Sequence, residues 1–394
     1  MVPPSPSSPH HSHQSSLEGI IDLKTEEPLS SDTRDRAKQR FYQIVDHFEG
    51  SPGDGADDTA GSEYSRSRLL RLTHDHALSP LSQDNFLRAF FSSLELSMDG
   101  DGEPVTDEPV RVKFFGFADY LFNNFFLPLK ASATKTPQPT PAFHSAIQRI
   151  QGGAGGFVGT PERISALRGA CLFRDRYRCI VTRTFDRTEA RKRMKRDRLD
   201  ARDENGNLLS EEQAFQALEV AHILPHSLTS LGRGDELNPS KQAALAILNM
   251  FDHGVGPLID GVDIDRPYNA LTLTRDIHGL FGEFSIYFEP VPDAAPHTYR
   301  IQSFDPSAIL GGLDLPITRT LFLTDDRTID PPSARLLAIH SAIARILHLS
   351  AAGSYIDSIL WDMEAAGEAG AEADGSTDLG RLVHLRLWLD GIGA

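Results

Sequence analysis

Cysteine is nearly absent from this sequence, since the 394 residues contain only Cys171 and Cys179. Two thiols exclude a disulfide framework and a zinc site built from four thiolates, and their scarcity favours a reducing compartment. The segment from Met1 to Ser16 has neither a basic start nor an apolar stretch, so we expect no signal peptide. We therefore expect an intracellular protein, nuclear or cytoplasmic, rather than a secreted one.

Long apolar runs are also missing. The most apolar stretch, residues 112–129, is interrupted by Lys113, Asp119, Asn123 and Asn124. It therefore predicts a buried helix rather than a membrane span, and we expect no membrane partner. Apolar residues make up 40% and charged residues 24% of the chain, which is typical of a globular protein, and the length predicts two or three domains.

Positive charge is scarce overall but concentrated in one segment. The chain has a net charge of −16, which argues against a nucleic-acid partner. The segment from Arg163 to Arg202, however, contains fourteen Lys and Arg residues and five Asp and Glu residues, which gives it a net charge of +9. The rest of the chain therefore carries a net charge of −25. A local basic segment in an acidic protein indicates contact with a polyanion.

Composition and periodicity divide the chain into four regions. We expect a disordered tail over residues 1–35, where Ser, Pro and His dominate, and a helical domain over residues 36–150. A domain of helices and strands is predicted over residues 160–290. Residues 291–394 form a predicted helical region with a flexible linker near 364–378.

The central domain also has predicted elements of its own. A helix is expected to begin at Thr160-Pro161, because proline suits the first helical position. The other elements are a strand-like pair over 177–184, a charged helix or ordered insertion over 187–202, a strand over 218–224, a helix over 275–281 and a strand over 284–288.

Three motifs in the central domain are arranged as a phosphodiester-cleaving site requires. They are the segments 178–182 (RCIVT), 221–225 (AHILP) and 269–278 (NALTLTRDIH). Such a site needs a base to activate water, for which neutral histidine is suited near pH 7. It also needs a metal ion to stabilise charge on the phosphate, and a loop pinned so that both groups meet one phosphate.

These motifs resemble the HNH endonuclease family, which has the ββα-metal fold, over about residues 167–290. The likeness is greatest to members whose strand reads A-H-I-x-P and whose helix follows N-x8-H-x-x-F. The resemblance implies that His222 is the general base, that Asn269 fixes the loop and that His278 is a metal ligand on the helix. It implies an α+β protein in which helical N-terminal and C-terminal regions flank a central nuclease-like domain.

The sequence departs from the family pattern at two positions where relatives carry further metal ligands. These positions hold Ala221, directly before His222, and Gly282, after the helical histidine. Glu219 lies on the same strand face as Ala221, so we predict it as the second metal ligand. An exposed strand carboxylate is the alternative role of Glu219, and Asp276 and Glu283 are alternative ligands.

The metal expected at this site is a hard divalent ion. Carboxylate oxygens suit Mg²⁺ or Mn²⁺ better than a soft ion. The family's optional zinc knuckle is not expected, because its four cysteine positions would fall at Cys179, Thr182, Thr274 and Ile277. Cys179 is instead predicted to be a small buried apolar residue.

Basic residues around the first motif are candidates for contact with nucleic-acid phosphates. We predict such contacts for Arg176, Arg178, Arg183, Arg191, Lys192, Arg193, Lys195 and Arg196. The cluster over 191–196 has two alternative explanations, a nuclear localisation signal and a solvated helix that pairs with its own acidic residues.

The sequence therefore favours a metal-dependent endonuclease acting on DNA, and less strongly on RNA. A catalytically impaired module of the same fold, which binds nucleic acid or a protein, is the alternative left open by Ala221. A third hypothesis is that the acidic exterior binds a basic partner. The sequence identifies no particular protein partner.

Overall fold

The computed structural model describes residues 27–55, 64–99, 108–133, 160–225, 228, 239–310, 312–324 and 328–369. Most of the predicted N-terminal tail and the end of the predicted helical domain, residues 134–150, lie outside the described residues.

Helices account for most of the described elements. In chain order they are α1 (Ser31–Phe48), α2 (Arg66–Asp75), α3 (Pro80–Leu94), α4 (Glu108–Leu121), α5 (Leu127–Ala133), α6 (Thr160–Arg174), α7 (Arg187–Asp197), α8 (Pro239–Phe251), α9 (Gly256–Ile259), α10 (Arg275–Gly282), α11 (Ala334–Leu349) and α12 (Ala352–Ala369). A π-helical segment, Phe122–Phe126, joins α4 to α5.

The strands are short and form small sheets. They are β1 (Phe185–Asp186), β2 (Phe215–Gln216), β3 (Leu218–His222), β4 (Ala270–Thr274), β5 (Ile286–Pro290), β6 (Thr298–Ser303) and β7 (Ile317–Thr320). Strands β1 and β2 pair in parallel, β3 and β4 are antiparallel, and β5, β6 and β7 form an antiparallel sheet in that order. The structure thus has the expected mixture of helices and small sheets.

The chain folds into two compact units, each assembled from separate stretches of sequence. One unit comprises residues 1–131, 227–258 and 342–394, and the other comprises residues 132–226 and 259–341. The candidate site lies in the second unit, which we call the site-bearing unit.

The first unit has an aromatic core. Buried phenylalanines from α1, α3 and α4 contact one another edge to face, for example Phe41 with Phe90 at 4.9 Å between ring centroids. The rings of Tyr64 and Phe122 stack at 4.3 Å. The run of phenylalanines in residues 112–129 is therefore core, as expected for a buried helix.

In the site-bearing unit, the β3–β4 pair is covered by helices on both sides. Alternation of side chains along β3 places Val220 and His222 on one face and Glu219 and Ala221 on the other. Helix α6 packs on the first face, where Leu167 and Cys171 form a buried cluster with Val220. Helix α10 packs against the same two strands and carries His278, which contacts Glu219 on the second face.

Several element boundaries differ from the sequence predictions. Helix α1 begins at Ser31, within the predicted tail, because the Ser30 side chain accepts a hydrogen bond from Thr33 N. Helix α7 ends at Asp197, because Arg198 has a φ of 54°. The linker predicted near 364–378 begins inside α12, whose Ala- and Glu-rich end has high helix propensity.

The strand-like pair predicted over 177–184 is instead a series of tight turns. Arg176, Tyr177 and Arg183 all have positive φ angles, which a strand does not allow. One isolated antiparallel bridge, between Arg178 and Phe185, remains at this position.

Among the helices that the structure describes, no single one is long and apolar enough to cross a membrane. The pair Ala334–Leu349 and Ala352–Met363, bent by 81°, passes that length and composition test only when taken together.

Candidate active site

His222 is the last residue of β3, opposite Ala270 of β4. Its Nε2 atom lies 3.1 Å from Oδ1 of Asp265, and the two side chains are 1% and 2% exposed. The second oxygen of Asp265 lies 3.3 Å from Nε of Arg163, near the start of α6. The candidate general base therefore belongs to a chain of three charged or titratable side chains, of which His222 and Asp265 are buried and Arg163 is partly exposed.

Asn269 ties the loop after His222 to the segment that leads into β4. Its side-chain amide donates hydrogen bonds of 3.0 Å to the carbonyl oxygens of Leu224 and Ile264, and its side-chain oxygen accepts one of 2.9 Å from Leu224 N. Ile223 N donates to the Asn269 backbone carbonyl at 2.8 Å. This buried asparagine thus makes the type of contacts that pinning a loop requires.

Arg174, at the end of α6, donates hydrogen bonds to the backbone on both sides of Asn269, an arrangement that we call the Arg174 clamp. The guanidinium donates two hydrogen bonds of 2.9 Å to the carboxylate of Asp175. Its other three hydrogen bonds, of 2.7 to 3.2 Å, reach the carbonyl oxygens of Pro267, Ala270 and Asp330. All five donors are therefore used.

The charge of Arg174 is stable in this buried position. Burial acts to lower the pKa of Arg174, but the neighbouring Asp175 carboxylate outweighs that effect, and the pKa is raised. Because Pro267 and Ala270 flank Asn269, the clamp fixes the backbone from which the asparagine projects.

His278 lies on α10, directly after β4. The helix begins after Thr274, and the negative charge of Asp276 in its first turn interacts favourably with the helix dipole. The Nδ1 atom of His278 lies 2.7 Å from Oε2 of Glu219. Its Nε2 atom is buried and has no hydrogen-bond partner among the residues that the structure describes.

This arrangement is the one that a metal-ligating histidine adopts. Such a histidine generally donates one ring N–H to a carboxylate, which fixes the tautomer and leaves the other nitrogen for the metal. Glu219 is thus placed to orient His278 from the Nδ1 side, whereas its role as a direct metal ligand stays a prediction. The exposed Asp276 and Glu283 are not recorded in contact with His278.

The donor set within the described part of the chain is small. No group of three or more His, Cys, Asp or Glu side chains there is close enough to hold a metal ion. Ala221, where the resemblance places a second ligand, is buried and offers no donor. A single imidazole nitrogen fits a hydrated Mg²⁺ or Mn²⁺, because Mg²⁺ usually keeps several waters and binds substrate phosphates.

The basic helix α7 begins at a well-formed cap, since Asp186 accepts a hydrogen bond of 2.8 Å from Glu189 N. Arg191 and Lys195 are exposed, and the structure records no acidic partner for either among the residues it describes. Lys192 lies 3.5 Å from Glu189 and is also exposed. Arg196 pairs with its neighbour Asp197 at 2.7 Å.

Arg193, by contrast, is engaged in the protein interior. It pairs with Glu189 at 2.9 Å and with Glu204, and its guanidinium lies over the rings of Tyr177 and Phe185. Burial acts to lower the pKa of Arg193, but hydrogen bonds to Glu204 and Glu189 raise it overall. Its charge is therefore largely neutralised by neighbouring groups.

Arg178 is similarly occupied by acidic residues. It pairs with Asp203 at 2.8 Å and with Glu212, and its side chain is 11% exposed. Arg176 and Arg183 both lie over the ring of Phe322, at 5.3 and 4.2 Å from the ring centroid. The predicted phosphate contacts therefore divide into an exposed group on α7 and a group with internal partners.

Sequence reasoning missed Asp265, Arg163 and Arg174. Asp265 and Arg174 carry no motif, and each meets its partner across a long sequence separation. The sequence features that could have drawn attention to them are the position of Asp265 shortly before Asn269 and the place of Arg163 in the basic segment.

Comparison with known families supports this location. Residues 179–289 match a family model described as HNH endonuclease, and this range includes His222, Asn269 and His278. Neither the curated proteins nor the solved structures contain a match. The match confirms the resemblance at the level of the family and indicates nuclease activity on nucleic acid for this domain.

Proposed function

We propose that this protein is a divalent-metal-dependent endonuclease that hydrolyses phosphodiester bonds in DNA. The proposal rests on one observation: the residues that match the family model include both the loop contacts of Asn269 and the hydrogen-bonded pair of Glu219 and His278. The preference for DNA over RNA comes from the resemblance and is tested by offering both substrates.

In this proposal, His222 accepts the proton of the attacking water. Asp265 holds Nε2, so the proton moves to Nδ1. Asn269 keeps the loop after His222 in place and so fixes the end of β3 that carries the imidazole. General base catalysis by a positioned histidine is worth about 10²–10⁴-fold in rate.

His278 and Glu219 are the residues that would hold the metal. Nε2 of His278 is the donor to the ion, and the hydrogen bond between Nδ1 and the carboxylate of Glu219 keeps the imidazole oriented. When bound, a divalent ion supplies positive charge to the phosphate and leaving oxygens. The exposed cations Arg191, Lys192 and Lys195 would hold the nucleic-acid backbone.

The test is plasmid nicking with Mg²⁺, Mn²⁺ or EDTA, using the wild type and His222→Ala. We expect cleavage that requires the metal and a loss of about 10²–10⁴-fold in the variant. Replacement of the exposed His348 by Ala is the matched control and should leave the rate unchanged. Full activity of His222→Ala would reject the assignment of the base.

A second function is favoured by two observations: the small donor set and the deep burial of His222. In this alternative, the domain binds nucleic acid without cleaving it. DNA binding that persists with Mn²⁺, together with the absence of nicking at any metal concentration, would support the binding module.

A further inference from the structure

We propose that Asp265 is the positioning residue of His222 and holds the imidazole as the tautomer protonated at Nε2. The inference rests on the proposed function for its catalytic consequence. The relation between the two side chains can also be tested without any activity.

The geometry determines which nitrogen carries the proton. An ionised carboxylate can only accept hydrogen bonds, so the 3.1 Å contact requires a hydrogen on Nε2. Both side chains are almost completely buried, where an unpaired carboxylate would be costly and a charge-assisted hydrogen bond is strong. Nδ1 is therefore the nitrogen whose lone pair can accept a proton from water.

Arg163 keeps Asp265 in the form that this role requires. Its Nε atom lies 3.3 Å from Oδ2, the carboxylate oxygen that does not face His222. A cation on that side favours the ionised carboxylate, which can accept a hydrogen bond but cannot donate one. The order Arg163–Asp265–His222 thus links the start of α6 to the end of β3.

The backbone around Asp265 is held independently of His222. The residue lies at the end of the 3-10 helix Gly261–Asp265, and Asn269 donates to the adjacent Ile264 carbonyl. The carboxylate therefore has a fixed position from which it can determine the orientation of the imidazole ring.

The first experiment measures the tautomer directly by ¹⁵N NMR of the imidazole nitrogens in the full-length protein. The His222 signals are assigned by their loss in His222→Gln. We expect protonation at Nε2 in the wild type and a shift toward the Nδ1-protonated form in Asp265→Asn, since the asparagine amide can donate to Nε2. Protonation at Nδ1 in the wild type, or the same tautomer in Asp265→Asn, would overturn the proposal.

The second experiment is a double-mutant comparison of turnover in plasmid nicking. Asp265→Asn should lower turnover about 10²–10⁴-fold in the wild-type background and cause little further loss in His222→Ala. Equal losses in both backgrounds would assign Asp265 a purely structural role. Asp265→Glu, which keeps the carboxylate, should recover part of the activity.

Asp263→Asn is the matched control, because Asp263 lies in the same 3-10 helix but is only half-buried and pairs with Arg266. It should leave both the tautomer and turnover unchanged. If the wild type cleaves no nucleic acid, the proposed function fails, whereas the NMR result still decides the relation between Asp265 and His222. If Asp265→Asn does not fold, the wild-type tautomer and Asp265→Glu still provide the test.

Discussion

Glu219 and His278 come from different elements and meet through a single hydrogen bond of 2.7 Å between Oε2 and Nδ1. Strand β3 supplies the carboxylate and helix α10 supplies the imidazole. The contact leaves the opposite ring nitrogen buried, with no hydrogen-bond partner in the described part of the protein. A carboxylate on one ring nitrogen and a lone pair on the other are the features of a metal-ligating histidine.

The first prediction concerns this pair. His278→Ala should abolish measurable Mn²⁺ binding, because it removes the imidazole donor. Glu219→Gln should weaken binding about 10- to 100-fold, the usual effect of losing the partner that orients a metal-ligating histidine. Isothermal titration calorimetry measures both. Asp276→Asn, on the same helix but exposed, serves as the control, and unchanged affinity in His278→Ala would refute the site.

The second prediction concerns the exposed cations of α7. Reversing Arg191 and Lys195 to Glu should weaken DNA binding and reduce the magnitude of the salt slope by about 2, since each phosphate contact contributes about 0.9. Thermal unfolding should change little, because exposed charges contribute little to stability. The measurement is fluorescence anisotropy with a labelled duplex over a series of salt concentrations.

Arg300→Glu is the control for this experiment, because Arg300 is an exposed cation of the same unit outside the basic segment. It should retain the wild-type salt slope. If the double reversal on α7 also retained the wild-type affinity and slope, the helix would not be the binding face, and a transport signal or a solvated helix would be favoured.

The third prediction concerns the Arg174 clamp. Arg174→Met should lower the free energy of unfolding by about 3–5 kcal/mol, because it leaves the Asp175 carboxylate buried without its partner. Arg174→Met combined with Asp175→Leu should recover part of the loss, since both charges are then removed. Urea unfolding followed by circular dichroism tests this, and a stability equal to wild type in Arg174→Met would contradict it.

The fourth prediction is a pH dependence that arises from His340 on α11. Its Nε2 atom lies 3.1 Å from the Phe281 carbonyl, and its ring stacks on Phe281 at 3.9 Å and on Phe284 at 4.6 Å. Burial lowers the pKa of His340 to about 3, although the hydrogen bond to Phe281 opposes the shift. The neutral imidazole is therefore the form that the folded protein accommodates.

Because the pKa of His340 is lower in the folded protein than in the unfolded chain, the free energy of unfolding is highest above the unfolded-state pKa. It decreases as the pH falls below that pKa. Below pH 6.5 the unfolded chain binds a proton at His340 that the folded protein does not bind until about pH 3. The free energy of unfolding should thus lose up to about 1.4 kcal/mol per pH unit in this window. His340→Phe should remove that slope relative to wild type in chemical unfolding at several pH values, whereas His348→Phe should retain it.

The sequence predicts those parts of the site that depend on local spacing. The step from Asn269 to His278 spans a strand and the start of the following helix, and in the structure Asn269 directly precedes β4 and His278 lies on α10. Asn269 makes hydrogen bonds to the nearby loop, as the predicted role requires, and its part in catalysis stays a prediction. Alternation along β3 also places Glu219 on the face from which it contacts His278.

The remaining parts depend on contacts between distant residues, for which local periodicity carries no information. Arg163 meets Asp265, and Arg174 meets the backbone at Pro267, because α6 packs beside β3 and β4. The positive φ angles of Arg176 and Tyr177 also escaped prediction, since either residue is common in strands or helices. The burial of Arg178 and Arg193 likewise depends on acidic partners from the following loop.

The paired strands β3 and β4 are adjacent in space, yet the chain between them leaves the site-bearing unit. Residues 227–258 of this connection belong to the first unit, where Leu78 N donates to the Phe251 carbonyl at 2.7 Å and the rings of Phe125 and Phe251 stack at 5.4 Å. A continuous fragment around the HNH match would therefore expose apolar side chains that need partners from elsewhere in the chain. The nuclease-like region is thus not a self-contained folding unit. Recombination or gene fusion that moves it alone would separate Phe251 from the residues that bury it.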